Sequence, residues 1–354
     1  MLKYIARKIL YGFLVLIGVV VLVFFLFQGF GDPSRLVMGQ TGDATTRANI
    51  RRELYLDQPK WKQFIFYLND VSPISIYSND DIEMKDLRGI FIGSKEERNN
   101  YRVGLKVPYL RRSYQSKKDV GTILMEALPG TLLLAFAAML IAVVIGIPLG
   151  VLAAIKQNSW IDTSSVFASI VGISAPSFFM GIIIAYLFGF VLSSWTGLHI
   201  TGNWFDIDEV TGQRHLALKN LILPAITLGI RPLSIITQLT RSAMLDVLDQ
   251  DYIRTAYAKG LSGSLVVWKH ALRNALNPVI TAITGWFAEL LAGAFFVEYI
   301  FGWKGIGKVT VDALEKLDFP VVMGSVLVTA TFFILINILA DIMYGIVDPR
   351  VTLQ

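Results

Sequence analysis

Asp251-Tyr-Ile-Arg-Thr-Ala-Tyr-Ala-Lys-Gly260 is a polar stretch that lies between two long apolar segments of the chain. Leu261-Ser-Gly-Ser264 and a basic run to Asn277-Pro278 follow it. The apolar segments have the length and hydropathy of helices in lipid, whereas this stretch has the composition of a folded loop in water. The sequence therefore predicts a membrane protein with a short structured loop at about residues 246–277, where a soluble partner can apply force.

The composition excludes several kinds of protein. Of the 354 residues, 54% are hydrophobic, and the mean hydropathy is +0.56, which is typical of a polytopic membrane protein. The absence of cysteine excludes disulfides, thiolate metal sites and cysteine nucleophiles. The three histidines are scattered, so we expect no metal site. The net charge of +5 fits basic cytoplasmic loops better than nucleic-acid binding.

Six segments reach the length of about 20 apolar residues that a helix needs to cross a bilayer. We therefore expect an all-α polytopic membrane protein with six transmembrane helices. Residues 1–30 are predicted to form an uncleaved N-terminal anchor, and Pro224 and Pro232 predict a kink in the fourth span. The six segments are Ile9–Phe30, Leu128–Ile155, Val166–Leu192, Leu216–Leu239, Val279–Phe301 and Val321–Val347.

The distribution of Lys and Arg predicts the orientation. With the N-terminus inside, the inner segments carry more Lys and Arg than the short outer loops, so both termini are expected in the cytoplasm. Residues 31–127 then form a large extracytoplasmic segment after the first helix, and residues 128–354 form a five-helix core. Within the segment, Ala48–Leu68 has an amphipathic helical pattern, and residues 72–118 are polar and turn-rich. Two interpretations stay open: a docking surface or lid for a delivered substrate, and a cap packed on the helices.

The polar stretch has the periodicity of two short helices. In the first, Asp249-Gln250-Asp251 offers an N-cap, and glycine at position 260 accommodates the left-handed turn that ends the helix. A second helix, Leu265–Leu276, is predicted after an N-cap at Ser264, with Pro278 opening the fifth span. The apolar stripe of the first helix consists of Ile253, Ala256, Tyr257 and Gly260.

Because this short helix lies between two spans, force applied to it would move both spans together. Its apolar stripe has the spacing to enter a groove on a soluble partner, and the alternative is a helix that lies on the lipid surface.

The run from Asp251 to Leu261, with His270-Ala-Leu-Arg-Asn-Ala-Leu276, resembles the cytoplasmic loop of ABC importer permeases of the dipeptide/oligopeptide/nickel family. The general signature is Glu-Ala-Ala with a glycine four positions on. Ala256 and Gly260 match it, whereas Arg254 and Thr255 replace the Glu and the first Ala, a form that the peptide-permease branch shows. Further similar motifs are Gly31-Asp-Pro33, Leu56-Asp-Gln-Pro59, Gly146-Ile-Pro-Leu-Gly150, Gly172-Ile-Ser-Ala-Pro-Ser177, Gly302-Trp-Lys-Gly-Ile-Gly307 and Asp348-Pro-Arg350.

The resemblance implies a first-type permease subunit in a bacterial cytoplasmic membrane, importing peptides or similar small solutes by alternating access. It implies four kinds of partner: a second homologous permease, two ABC ATPase subunits, an extracytoplasmic binding protein and the lipid bilayer. ATP and magnesium would bind to the ATPases, and this chain would hold no cofactor and catalyse no reaction. The residues implied in ATPase coupling are Asp251, Tyr252, Ile253, Arg254, Ala256, Tyr257, Lys259 and Gly260.

Two alternatives of other classes are an ion-coupled secondary transporter and a non-transporting membrane scaffold. Ionisable side chains at membrane depth are costly and often line a transport pathway, so Arg231 and Glu289 are pathway candidates. Glu289 is central enough to serve an ion-coupled transporter, and Arg231 has the charge to steer a substrate carboxylate. Pairing between the two is the structural alternative.

Gly302-Trp-Lys-Gly-Ile-Gly307-Lys308 has the spacing of a phosphate-binding loop. Val309 stands where Ser or Thr should bind magnesium, and no strand precedes the motif in the predicted pattern, so we expect a re-entrant turn instead of a nucleotide site.

Overall fold

The structure is a computed structural model that describes residues 2–28, 51, 55–85, 87–93, 101–207 and 213–347. The chain divides into two compact units. The helical unit comprises Met1–Gly12, Ala127–Val311 and Thr329–Gln354, and the sheet unit comprises Phe13–Glu126 and Asp312–Val328.

The chain is mostly helical, as predicted. Besides α-helices, the chain has two π-helical segments, Ala185–Val191 and Val266–Ala271, and a 3-10 helix at Leu218–Leu221. The strands are β1 (Ile74–Ser78), β2 (Gly89–Ile92), β3 (Tyr101–Lys106), β4 (Phe205–Ile207) and β5 (Arg214–Leu216). The α-helices are α1 (Leu2–Gln28), α2 (Lys60–Val71), α3 (Asn79–Met84), α4 (Val120–Ile155), α5 (Trp160–Ser174), α6 (Ser177–Ile184), α7 (Ser193–Thr196), α8 (Ile222–Leu248), α9 (Asp251–Ala258), α10 (Gly263–Leu265), α11 (Leu272–Gly293), α12 (Phe295–Ile300), α13 (Ile306–Glu315) and α14 (Phe319–Val347).

Membrane-spanning capacity is found in fewer elements than the sequence predicts. In the described residues, Tyr4–Phe27, Val120–Ile155, Leu218–Leu248 and Phe319–Ile342 are long and apolar enough to cross a membrane, and one bent helix pair makes up to five. Helix α11, which carries the predicted fifth span, is not among them, and it contains Arg273, Asn277 and Glu289. The number six therefore stays a prediction.

The third predicted span, Val166–Leu192, is wrong as an uninterrupted helix. Helices α5 and α6 meet at a bend of 109°. Ala175 is extended there (ψ 129°) because the ring of Pro176 disfavours the helical conformation of the residue before it.

The polar loop also differs from the prediction. The second helix does not end before Pro278: α10, the π-helical segment and α11 follow one another directly, and Pro278 lies inside α11. Ser262, not Ser264, occupies the N-cap position. On the other side, α8 runs through Pro232 and continues past the apolar span, which was predicted to end at Leu239, as far as Leu248. The loop is therefore attached to a continuous helical path on both sides.

Small residues allow close helix packing in the helical unit. A Cβ atom on Gly146 would lie 3.0 Å from the carbonyl oxygen of Leu233, and one on Gly150 would lie 2.6 Å from that of Thr237. Helix α4 thus approaches α8 backbone to backbone at the Gly146–Gly150 motif, where small residues permit it.

Helices α1 and α14 also meet in the helical unit. A Cβ atom on Gly12 would lie 2.6 Å from Cγ2 of Ile334. Near this contact, the ammonium of Lys8 pairs with the carboxylate of Asp341 at 2.9 Å. The N-terminal anchor is thus fixed to α14.

The sheet unit corrects the prediction of a polar, turn-rich segment at residues 72–118. It contains an antiparallel sheet with the strand order β1-β3-β2. The amphipathic pattern at Ala48–Leu68 corresponds to α2, which begins at Lys60; residues 48–50 and 52–54 lie outside the described residues. Helix α2 packs on α1, with the rings of Phe24 and Phe64 5.1 Å apart.

A buried carboxylate joins the two segments of the sheet unit. Asp318, which immediately precedes α14, accepts hydrogen bonds from the hydroxyl of Ser113 and from the backbone nitrogen of Tyr114, the latter at 2.9 Å. The loop before α4 is therefore fixed to the start of α14.

Candidate functional site

Helix α9 is the short helix that the periodicity predicts. Gln250 occupies its N-cap position with extended backbone (ψ 146°), and its side chain makes no capping hydrogen bond. Asp251 is the first helical residue, where a carboxylate interacts favourably with the positive end of the helix dipole.

The apolar stripe of α9 is divided between two environments. Ile253 and Ala256 are 1% and 7% exposed and pack within the chain. Tyr257 is 48% exposed, and Gly260 is exposed too. The expectation that the whole stripe enters a groove on a partner is therefore wrong for Ile253 and Ala256, because the chain itself covers them. Their neighbours are Val151, Ala154, Met244, Val266, Val267, Ala271, Leu272 and Ala275.

Gly260 ends the helix in the way that the sequence predicts. Its φ of +78° is left-handed, and a Cβ atom there would meet nothing within 4 Å, so the requirement for glycine comes from the backbone conformation. The nitrogen of Gly260 donates to the oxygen of Tyr257 (2.9 Å), and that of Leu261 donates to the oxygen of Ala256 (3.3 Å). These two hydrogen bonds form a Schellman motif.

The outward surface of α9 is aromatic and charged. Tyr252, Arg254, Tyr257 and Lys259 are exposed there. Arg254 and Asp251 lie 3.5 Å apart with exposed side chains, so this ion pair adds little to stability. We call six of the exposed residues of α9 and its end the outer coupling face: Asp251, Tyr252, Arg254, Tyr257, Lys259 and Gly260.

A hydrogen bond that the sequence did not reveal joins α9 to α11. The amide nitrogen of Asn274 donates to the hydroxyl of Tyr252 at 2.9 Å and lies 3.2 Å from the carbonyl oxygen of His270. Asn274 belongs to the motif that carries the family resemblance, but the motif does not indicate which atom its side chain bonds to. The bond connects the outer coupling face to a helix that is continuous with a predicted span.

A second connection missed from the sequence lies at the start of α5. Arg241 of α8 donates through Nε and Nη2 to the two oxygens of Asp162, at 2.5 and 2.8 Å. The backbone nitrogen of Asn158 also donates to Asp162, at 2.9 Å. Ser159 caps α5 by accepting from the nitrogen of Asp162, and this Ser-x-x-Asp spacing is the signal that the sequence offers.

Arg231 and Glu289 are brought together by α8 and α11. The guanidinium Nη1 lies 3.7 Å from Oε1 of Glu289, and the guanidinium carbon lies 5.3 Å from the centre of the Trp286 ring. The structure thus contains the pairing alternative. Both side chains are about half exposed in the single chain, at 47% and 53%. Because exposed charges in lipid are costly, this surface suits water or another subunit. A pathway role stays a prediction.

The glycine-rich turn surrounds a carboxylate of its own chain. Glu298 of α12 is fully buried, and its Oε2 accepts from the backbone nitrogen of Lys308 at 3.1 Å. A Cβ atom on Gly305 would collide with the Glu298 carboxylate. The indole nitrogen of Trp303 donates to the oxygen of Gly130 at 2.9 Å, which fixes the turn to α4. The glycines therefore accommodate Glu298, a residue that no local sequence pattern indicates.

Known families match nearly the whole chain. Residues 146–353 match the family model "Binding-protein-dependent transport system inner membrane component", and residues 1–135 match "Binding-prot-dependent transport system membrane comp, N-term". The chain belongs to this family. The resemblance deduced from the loop motif is thereby confirmed, and the chain is a multi-pass inner-membrane subunit of a transport system.

Individual relatives agree with the family. The dipeptide transport system permease protein DppB of Escherichia coli is 36% identical, over 99% of both chains. The di/tripeptide transport system permease protein DppB of Pseudomonas aeruginosa is 37% identical over 100% of both.

A solved structure with the same fold is the MetNI methionine ABC transporter in an inward-facing conformation. It has a TM-score of 0.50 and 18% identity, and the match covers 64% of this chain and 97% of that one. At this identity the likeness shows the fold alone, and it supports the ABC importer permease fold.

Proposed function

We propose that the chain is the permease subunit of an ATP-driven importer of dipeptides and similarly small peptides. The observation that carries the proposal is the 36% identity to the dipeptide permease of Escherichia coli over 99% of both chains. The di/tripeptide permease of Pseudomonas aeruginosa supports the same class of substrate.

The proposed assembly follows from the family and from the loop. A second homologous permease completes the channel, two ABC ATPase subunits bind on the cytoplasmic side, and a binding protein delivers the peptide from outside. ATP and magnesium bind to the ATPases, and this chain holds neither. Both termini then lie in the cytoplasm, in agreement with the distribution of Lys and Arg.

The outer coupling face is the proposed contact with an ATPase. Its exposed tyrosines and cations suit a protein interface, where Tyr and Arg often dominate the binding energy. Ile253 and Ala256 have a different role in this proposal. Because they are buried against α8 and the π-helical segment, they transmit a displacement of α9 into the chain.

The movement is proposed to reach the membrane through α8 and α11. The Tyr252–Asn274 hydrogen bond and the shared apolar core make α9 move with both helices. The Arg231–Glu289 pair bridges the same two helices, so their rearrangement would change the surface that these charges offer to a passing peptide.

Growth on a dipeptide tests the function in cells. A strain that requires one amino acid, and that lacks this chain and other peptide transporters, is supplied with that amino acid free or as a dipeptide. The parent chain, expressed with its partner subunits, restores growth on the dipeptide. Tyr257→Ala reduces it at unchanged membrane abundance, whereas Trp195→Ala, which truncates an aromatic side chain that is 92% exposed, does not.

Three outcomes would count against the proposal. If the strain that expresses the parent chain grows only on the free amino acid, the chain does not import the dipeptide. Dipeptide uptake that a proton ionophore abolishes while ATP is maintained indicates an ion-coupled transporter. Equal growth with and without the chain indicates a scaffold.

A further inference from the structure

One face of the antiparallel sheet is aliphatic and exposed. The register places Ile74 and Ile90 on either side of Leu105, and Ile76 and Ile92 on either side of Val103. The six side chains are 52–79% exposed. We call this surface the aliphatic face: Ile74, Ile76, Ile90, Ile92, Val103 and Leu105.

The opposite face of the same sheet is polar and covered. Tyr77 and Lys106 are 4% exposed there, and the hydroxyl of Tyr77 donates to Asp70 at 2.7 Å. Lys85 and Arg111 also contact the Asp70 carboxylate, at 2.9 and 3.0 Å. An antiparallel sheet with one solvated face ordinarily buries its apolar side and exposes its polar side. This sheet does the reverse, which indicates that the aliphatic face is covered in the assembled protein.

The covering partner meets the face of the sheet and not the edge at β1. The side-chain amide of Asn69 bonds to both backbone groups of Ile76, donating to its oxygen at 2.8 Å and accepting from its nitrogen at 2.9 Å. These are the groups through which an added strand would pair, so the outer edge of β1 is blocked at this position.

The chemistry of the face distinguishes between possible occupants. Hydrocarbon lipid does not accommodate an open sheet, because the backbone groups at a sheet edge need hydrogen-bond partners that lipid does not supply. A soluble receptor that dissociates in each cycle would leave six aliphatic side chains in water between encounters, and transient interfaces are more polar than this. Permanent subunit interfaces are the more apolar class.

The size of the face is sufficient for such an interface. Six aliphatic side chains that are mostly exposed offer on the order of 500 Å² of apolar area, a large part of the roughly 800 Å² that each partner contributes to a standard interface. A second membrane subunit is held in the same bilayer, so its effective concentration is high without further affinity.

We propose that the aliphatic face is permanently covered by the extracytoplasmic part of the homologous second permease subunit. This inference rests on the proposed function, which supplies that subunit. The Asp70 network holds the sheet rigid from its polar side, so the face is preorganised for a lasting contact.

Photo-crosslinking of the complete transporter in its native membrane tests the proposal. A benzophenone amino acid is placed at Val103 in the full chain, or at Leu216, which is also an exposed strand residue, at 62%. The Val103 probe is expected to link to the second permease to the same extent with and without the binding protein, and the Leu216 probe is expected not to. Links from Val103 only to the binding protein, only to lipid or to another copy of this chain would overturn the proposal.

A threonine substitution series gives an independent readout. Ile76→Thr, Ile92→Thr and Val103→Thr combined keep β-branched side chains, so the sheet is retained while the face loses apolar area. When this chain is purified, the triple variant is expected to carry at least fivefold less of the second permease with it. Leu216→Thr is expected to carry the parental amount. Parental recovery with the triple variant would refute the inference. Dipeptide-dependent growth of the strain that expresses the parent chain is measured separately. The proposed function is therefore tested independently of the proposed interface.

Discussion

Tyr252 and Asn274 are joined by a hydrogen bond of 2.9 Å between the phenol oxygen and the side-chain amide nitrogen. The bond connects α9, which carries the outer coupling face, with α11, which is continuous with the predicted fifth span. Together with the buried contacts of Ile253, it makes the loop a rigid attachment between two long helices and not a flexible connection.

Removing this bond is expected to weaken coupling. A hydrogen bond of this kind contributes about 1 kcal/mol, so Asn274→Ala should lower dipeptide uptake per ATP hydrolysed by roughly fivefold. Uptake and hydrolysis are measured on the same proteoliposomes. Asn277→Ala, at an exposed position on the same helix, is the control and should leave the ratio unchanged. An equal ratio in the Asn274 variant and the parent would show that the bond has no part in coupling.

Ile253→Ala should destabilise the chain, because it creates a cavity in the core beneath α9. Ile253 is 1% exposed, and truncation of such a residue to alanine costs about 2–5 kcal/mol, whereas Ile253→Val costs about 1 kcal/mol. The midpoint of thermal unfolding of the detergent-solubilised complex measures both. If the two variants unfold at the parental temperature, Ile253 faces outward, as the sequence pattern alone suggested.

Gly260 and Gly263 provide a matched pair for the backbone argument. Gly260→Ala places a side chain at φ +78° and should cost about 1 kcal/mol, which frays the end of α9. Gly263 lies in the first turn of α10, and a Cβ atom there would be 4.0 Å from the Tyr257 ring, so Gly263→Ala should be neutral or stabilising. Thermal unfolding and dipeptide uptake are compared for the two variants. Equal effects would contradict the assigned left-handed turn.

Lys106 predicts how the stability of the sheet unit depends on pH. Burial lowers the pKa of Lys106 from 10.5 to about 8, although the charge of Asp70 opposes this. Between these values the unfolded chain binds a proton that the folded chain lacks, so this group makes folding more favourable as the pH rises from about 8 towards 10.5. Lys106→Met should therefore abolish this increase.

Other groups, such as the nearby tyrosines, also affect how the unfolding temperature depends on pH. Comparing the parent with Lys106→Met gives the part of that dependence that comes from Lys106. Unfolding is measured for both proteins at about pH 7 and about pH 9.5. A parental difference that persists unchanged in the methionine variant would refute the assignment.

The sequence predicted features that depend on local pattern. Hydropathy located most of the long helices, and the spacing of Ile253, Ala256 and Gly260 predicted α9 and its end. Periodicity reports which residues share a face, but it does not report whether that face meets the same chain or a partner, so Ile253 was assigned to the wrong surface.

Features that join distant residues were missed for a related reason. Arg241 and Asp162 are far apart in sequence, and nothing local pairs them. The sheet escaped detection because its strands are short, and because Lys106, Arg102 and Tyr77 on its inner face made the segment resemble a polar loop. The bend at Ala175-Pro176 was available from the sequence, since proline restricts the residue before it.

Uptake of a labelled dipeptide into proteoliposomes is the decisive measurement of ATP-driven peptide import. The assembled transporter is reconstituted with the binding protein outside and ATP with magnesium inside, and a proton ionophore is added to half of the samples. An ATP-driven importer requires internal ATP for this uptake and is not affected by the ionophore, and the uptake should fall with Tyr257→Ala but not with Trp195→Ala. Uptake without ATP that the ionophore abolishes would contradict ATP-driven import.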